Sequence, residues 1–118
     1  MTSPLLLSGW VTYARTSVSL GTMPTDRYLS RAFMHVTQAF NSDGTDLVQV
    51  GYTGDADAYA TATDVSSTGV KSVTLGTLAG YNGTAHPVEI TYTAGGSTPT
   101  TGKAYACLEF LPTPPAPV

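Results

Sequence analysis

The sequence predicts an all-β domain: an antiparallel β-sandwich, jelly-roll-like, with one short helix and extended termini. Three observations carry this reading. Runs of alternating apolar and polar residues recur along the 118 residues, separated by clusters of Gly, Pro, Asn and Ser. The 12 Gly and 8 Pro, with only 11% charged residues, suit short strands joined by turns. Finally, the string Ser17-Val18-Ser19-Leu20-Gly21-Thr22-Met23 returns as Ser72-Val73-Thr74-Leu75-Gly76-Thr77-Leu78. One strand-then-turn unit used twice fits the two related four-stranded halves of a jelly roll, with Leu20 and Leu75 at corresponding buried positions.

The elements follow in order. Val11, Tyr13, Val18 and Leu20 share a face only if the phase shifts near Arg15-Thr16, so this segment is two short strands or one bulged strand. From Tyr28 to Phe40, Ala32, Met34, Val36 and Phe40 make an apolar face and Arg31, His35 and Thr37 a polar one, which Phe33 interrupts. Asn41-Ser42-Asp43-Gly44 is a tight turn, which predicts a hairpin with Leu47–Tyr52. In Asp55–Ala62 the alanines and leading aspartates suit the one short helix, capped by Asp55 or Asp57. A further strand spans Val70–Leu75. After Pro87, Val88, Ile90 and Tyr92 alternate with Glu89, Thr91 and Thr93. In the final strand, Lys103–Leu111, Ala104, Ala106, Leu108 and Phe110 oppose Lys103, Tyr105, Cys107 and Glu109. The prolines at 112, 114, 115 and 117 cannot extend a sheet. The predicted organisation is an N-terminal arm over 1–10, a sandwich over 11–111 and a Pro-rich C-terminal arm over 112–118.

Composition bounds the function. A chain of this length is one domain with a modest core. The single cysteine, Cys107, cannot form an internal disulfide and reads as a small buried hydrophobe. No stretch is apolar enough to cross a bilayer, and Pro4-Leu5-Leu6-Leu7 is too short, without a basic start, for a signal peptide, so no membrane is expected as a partner. A net charge of −3 with five Lys/Arg scattered along the chain gives no phosphate-binding footprint, so no nucleic acid is expected either. Thr, Ser and Gly stand where charge is usual, which suits an exterior that partly faces other protein subunits.

Catalytic patterns are missing. Neither His35 nor His86 has a carboxylate or cysteine nearby in sequence, and there is no nucleophile elbow, phosphate loop or Cys/His metal spacing. Glu89 and Glu109, both on strands, lack the aromatic cleft that a glycosidase pair needs. Gly54-Asp55-Ala56-Asp57 with Asp64 offers hard oxygens for calcium, but without the Gly and Glu of a calcium loop the aspartates read better as a helix cap. Asn82-Gly83-Thr84 reads as a turn. The expectation is no enzyme, no cofactor and no metal.

Taken together, Val18–Pro24, Arg31–Asn41, Val50-Gly51-Tyr52 and Gly54–Tyr59 resemble phrases of small β-rich virion proteins of tailed bacteriophages, of the capsid decoration or cement type, over residues 10 to 110. The resemblance implies a structural protein on the outer surface of the capsid, bound to the major capsid protein and to copies of itself as a trimer, stabilising the lattice. Cement needs many modest contacts repeated over a lattice, not an active site. The expected anchors are Leu5, Leu6, Leu7 and Trp10 in the N-terminal arm, and Leu111, Pro112, Pro114 and Pro115 at the other end. The alternative is a tail-fibre, receptor-binding or baseplate module with Tyr52, Tyr59 and Tyr81 as sugar platforms.

Overall fold

A computed structural model describes residues 5–22, 27–52, 55–76 and 87–112. It contains eight strands: β1 (Leu5–Thr12), β2 (Ser17–Thr22), β3 (Arg27–Gln38), β4 (Asp46–Tyr52), β5 (Asp55–Asp64), β6 (Gly69–Ser72), β7 (Pro87–Ala94) and β8 (Lys103–Pro112). They form two antiparallel four-stranded sheets. Sheet A has the order β1-β8-β3-β6 and sheet B the order β2-β7-β4-β5. The pairings β4–β5, β3–β6, β2–β7 and β1–β8 are nested, like one long hairpin rolled up, and β8–β3 and β7–β4 join them into the jelly roll.

Alternation decides which side chains fill the space between the sheets. Met34, Val36, Ala104, Ala106, Leu108 and Phe110 from sheet A meet Val48, Val50, Val88, Ile90 and Tyr92 from sheet B, all buried. Phe40, just past β3, stacks on Tyr92 with ring centroids 4.4 Å apart. The same site holds a buried polar pair: Tyr92 Oη donates to Asp46 Oδ1 at 2.6 Å, and the Ser42 amide donates to the same oxygen at 3.2 Å. Around it, Asn41 accepts from the Thr100 and Thr101 amides and Asp43 from Ser97, tying the β3–β4 loop to the β7–β8 loop.

Four sequence expectations are corrected. Asp55–Asp64 is strand β5, with no helix among the described residues. Two register shifts against β4 bury Ala58, Tyr59 and Ala60 in succession, and this tertiary packing overrides alanine's helical preference. Residues 28–52 do not form a hairpin, because β3 lies in sheet A and β4 in sheet B. The turn instead carries the chain across the sandwich, with Phe40 as its buried pivot. Nor is 5–10 an arm: from Leu5 the chain is β1, paired residue by residue with β8, because Leu5, Leu7 and Val11 point into the sandwich. The strand expected over Val70–Leu75 is confined to Gly69–Ser72, and Val73 and Leu75 then leave sheet A to pack on the core, where Leu75 bridges to Ala60. At the C-terminal end β8 runs through Pro112, and the rest of the expected arm, 113–118, lies outside the described residues.

The repeat acquires a geometric meaning. Replacing each strand by the one four places on exchanges the two sheets and reverses their order, so β2 corresponds to β6 and β3 to β7. The two strings are offset on β2 and β6, the first beginning β2 at Ser17 and the second beginning at Ser72, the last residue of β6, while Leu20 and Leu75 are both half-buried against the core.

Candidate interaction surface

The outer faces of the two sheets differ in kind. On sheet B the outward residues of β2, β7 and β4 include Ser17, Ser19, Thr91, Thr93, Glu89 and Gln49, in register across the sheet. On sheet A, Leu6 is 58% exposed, Trp10 48%, Phe33 40% and Val70 71%. The register puts them in rows: Trp10, Tyr105, His35 and Val70 in one, Ser8, Cys107, Phe33 and Ser72 in the next, Leu6, Glu109 and Arg31 in a third. An apolar stripe on one face of a small domain is a candidate contact surface.

The stripe is internally organised. Trp10 and Tyr105 pack at 5.1 Å with planes tilted by 58°, and Tyr105 Oη donates to Ser8 Oγ at 2.6 Å, which fixes the ring. Arg31 donates to both carboxylate oxygens of Glu109, at 3.0 and 3.4 Å, and Ser30 Oγ donates to Glu109 as well. This ion pair is exposed, so it orients the row more than it stabilises the fold. Cys107 lies in the middle of the stripe, buried by its neighbours, and that burial pushes its thiol pKa up, with the Glu109 charge adding to the shift.

The predicted anchors separate. Leu6 and Trp10 stand on the stripe, and Leu111, paired with Tyr28, lies half-buried at its end. Leu5 and Leu7 turn the other way and pack on the core. Pro112 closes β8 opposite Arg27, while Pro114 and Pro115 lie outside the described residues. The reading of residues missed Phe33, Tyr105 and Val70 as surface members. The signal for Phe33 was its break in the polar side of β3. Tyr105 and Val70 become members only when register places them beside Trp10.

The reactive side chains stay dispersed. His35 has Tyr105 and Val70 as its row neighbours, and His86 lies outside the described residues. No cluster of three metal-binding side chains and no cleft occurs among the described residues. Asp55 and Asp57 sit at the start of an edge strand, where the hydrogen bond from the Asp57 side chain holds Asp55 above the usual carboxylate range. Among the proposed sugar platforms, Tyr59 is wholly buried, so it cannot serve as one; Tyr52 is half-buried and Tyr81 is outside the described residues.

No protein-family model matches the chain, and no curated protein is similar to it in sequence. Solved structures are similar in shape. A chain of the cyanophage Pam1 capsid asymmetric unit superposes with a TM-score of 0.66 at 16% identity, covering 91% of this chain and 83% of that one. A chain of the acid-stable capsid of Helicobacter pylori bacteriophage KHP30 gives a TM-score of 0.64 at 15% identity, covering 95% of this chain and 90% of that one. At such identities the likeness establishes a common fold, the two-sheet sandwich described above.

Proposed function

We propose that the chain is a structural, non-catalytic part of a bacteriophage virion: a decoration (cement) protein on the outer surface of the head, contacting the major capsid protein and its own copies, as a trimer, and stabilising the lattice. The observation that carries this reading is the shared fold with chains of two phage capsid structures over nearly the whole length. The apolar stripe on sheet A supports it, since lattice proteins bind through modest surfaces multiplied by repetition.

The test is location and effect. Purified protein is added to DNA-filled heads lacking it, its position is imaged by cryo-electron microscopy, and heat-induced DNA release is measured with and without it. Density over the outer shell and release at a higher temperature are expected. Density confined to tail tips, or no binding to heads, would overturn the reading.

A further inference from the structure

The outer strands of the two sheets differ in how they end the sheet. An edge strand presents unpaired N–H and C=O groups, and proteins blunt such edges by cover, shortness, charge or a bulge. β5 is covered: the Thr61 amide donates to Thr74 O and the Gly76 amide to Tyr59 O, both at 2.9 Å. β6 has only four residues, one of them Lys71. β2 shifts register between Ser19 and Gly21, where Gly21 takes φ +126°. β1 has none of these devices: its eight residues, Leu5–Thr12, carry no charge, no proline and no register shift.

The ladder shows which groups β1 leaves over. Hydrogen-bonded and non-hydrogen-bonded pairs alternate along an antiparallel pair. The Tyr13 amide donates to Gly102 O at 3.1 Å, one step beyond the Thr12–Lys103 pair, so Leu5, Leu7, Gly9 and Val11 bond to β8 while Leu6, Ser8, Trp10 and Thr12 turn their backbone groups away. Thr12 closes on Arg15 in both directions, each at 3.2 Å. The N–H and C=O of Leu6, Ser8 and Trp10 have no partner among the described residues.

We propose that β1 of one copy pairs with β1 of a second copy, antiparallel about a two-fold axis at Ser8, joining two four-stranded A sheets into one. This rests on the reading of the chain as a part of an assembly and names one of its contacts with its own copies. The register selects the occupant. With Ser8 opposite Ser8, Leu6 stands opposite Trp10 and Trp10 opposite Leu6, so the three N–H and three C=O groups of each copy are all satisfied, by six hydrogen bonds. On the outer face each Leu6 meets the other copy's Trp10, an aliphatic–aromatic cross-strand pair that carries the apolar stripe from one copy into the next. An uncharged strand can face itself without opposing like charges, which the acids of β5 and Lys71 of β6 would do. A two-fold contact closes at two chains, so its loss halves the mass of whatever assembly the chain forms.

The test removes the edge without touching the ladder. The Ser8 amide points away from β8, so Ser8→Pro deletes an outward donor only, and Ser8→Lys sets two ammonium groups opposite each other. Sedimentation equilibrium on the full chain at about 100 μM, where even a weak contact is populated, reads the mass. The unaltered chain is expected above its single-chain 12.2 kDa, and each variant at half the mass of the unaltered assembly. If circular dichroism shows Ser8→Pro misfolded, Ser8→Lys decides. Ser8→Cys gives a second readout, in a Cys107→Ala background because Ser8 lies opposite Cys107 within the chain. Hydrogen-bonded partners have Cα atoms about 5.5 Å apart, within disulfide reach, so oxidation is expected to link Ser8→Cys chains in pairs and to leave Val70→Cys chains, on the other edge of sheet A, unlinked. A monomeric unaltered chain, an unchanged mass in folded Ser8→Lys, or Ser8→Cys chains that stay single each overturn the proposal. Head binding separates the two readings: a monomeric chain that decorates heads sinks only this one, and a chain that pairs through β1 but binds no heads sinks only the other.

Discussion

Two tyrosines in the core provide a matched pair of substitutions with opposite expected signs. Tyr59 and Tyr92 are both buried, and burial raises both hydroxyls to a pKa of about 12. Tyr92 donates at 2.6 Å to the buried Asp46 carboxylate, whereas the Tyr59 hydroxyl finds no partner among the described residues. Tyr92→Phe keeps the ring that stacks on Phe40 but leaves Asp46 Oδ1 with only the Ser42 amide, and losing a hydrogen bond to a buried charge costs about 1.5–3 kcal/mol. Tyr59→Phe removes an unsatisfied buried hydroxyl, whose desolvation costs about 1–3 kcal/mol, so this variant gains stability toward the lower end of that range. For 118 residues the unfolding entropy is about 0.25 kcal/mol/K, so 1 kcal/mol moves Tm by about 4 °C. Tm should fall by about 6–12 °C for Tyr92→Phe and rise by about 4 °C for Tyr59→Phe. Thermal melts followed by circular dichroism, with urea titrations to check that the slope is unchanged, read both. Losses of similar size in the two variants would refute the assignment of the Tyr59 hydroxyl as unpartnered.

The same tyrosines set an alkaline limit. Their folded pKa lies above the unfolded 10, so the folded state holds its protons longer, and stability present below pH 10 is lost as pH rises toward 12; urea midpoints between pH 8 and 12 should drop in that window, and a flat profile counts against it. Gly102 has φ +145° and its absent Cβ position is occupied by the Phe40 ring, so Gly102→Ala should cost about 2–4 kcal/mol, measured by urea unfolding, and near-neutrality would contradict the packing. Cys107, buried and with its thiol pushed up, should react with iodoacetamide at pH 8 far more slowly than in urea-unfolded protein, as mass spectrometry will show; equal rates would place it on the surface.

The parts of the fold legible in the sequence were those where one face is dry and the other wet. Val88-Ile90-Tyr92 and Ala104 to Phe110 send alternate residues into the core because β7 pairs with β4, and β8 with β1, without a register shift. Alternation failed at β5, where bulges bury three consecutive residues, and at β1, where Leu5-Leu6-Leu7 is apolar on both faces because one faces the core and the other the stripe. The candidate surface was half legible. Leu6, Trp10 and Leu111 stood out by hydrophobicity alone, but nothing along the chain places position 10 beside 105, or 35 beside 70. The 55-residue spacing also misleads if read as chemistry. It matches Phe33 and His35, which face outward, with Val88 and Ile90, which face the core.

The nested order of strands has a consequence for how the molecule comes into being. β8 lies between β1 and β3, and β7 between β2 and β4, so the last-made strands are the inner members of both sheets. A chain emerging from the ribosome holds β1 and β3, or β2 and β4, with a strand-wide vacancy between them until residues 87–112 arrive. Nearly all of the sequence must therefore be present before either sheet can close. The pairings needed are the most distant in the chain, a topology whose folding is slow because loop closure precedes any reward. Both layers stay incomplete until residues 87–112 have been made, and a chain cut short before Pro87 lacks the means to form either layer, not merely a stretch of its tail.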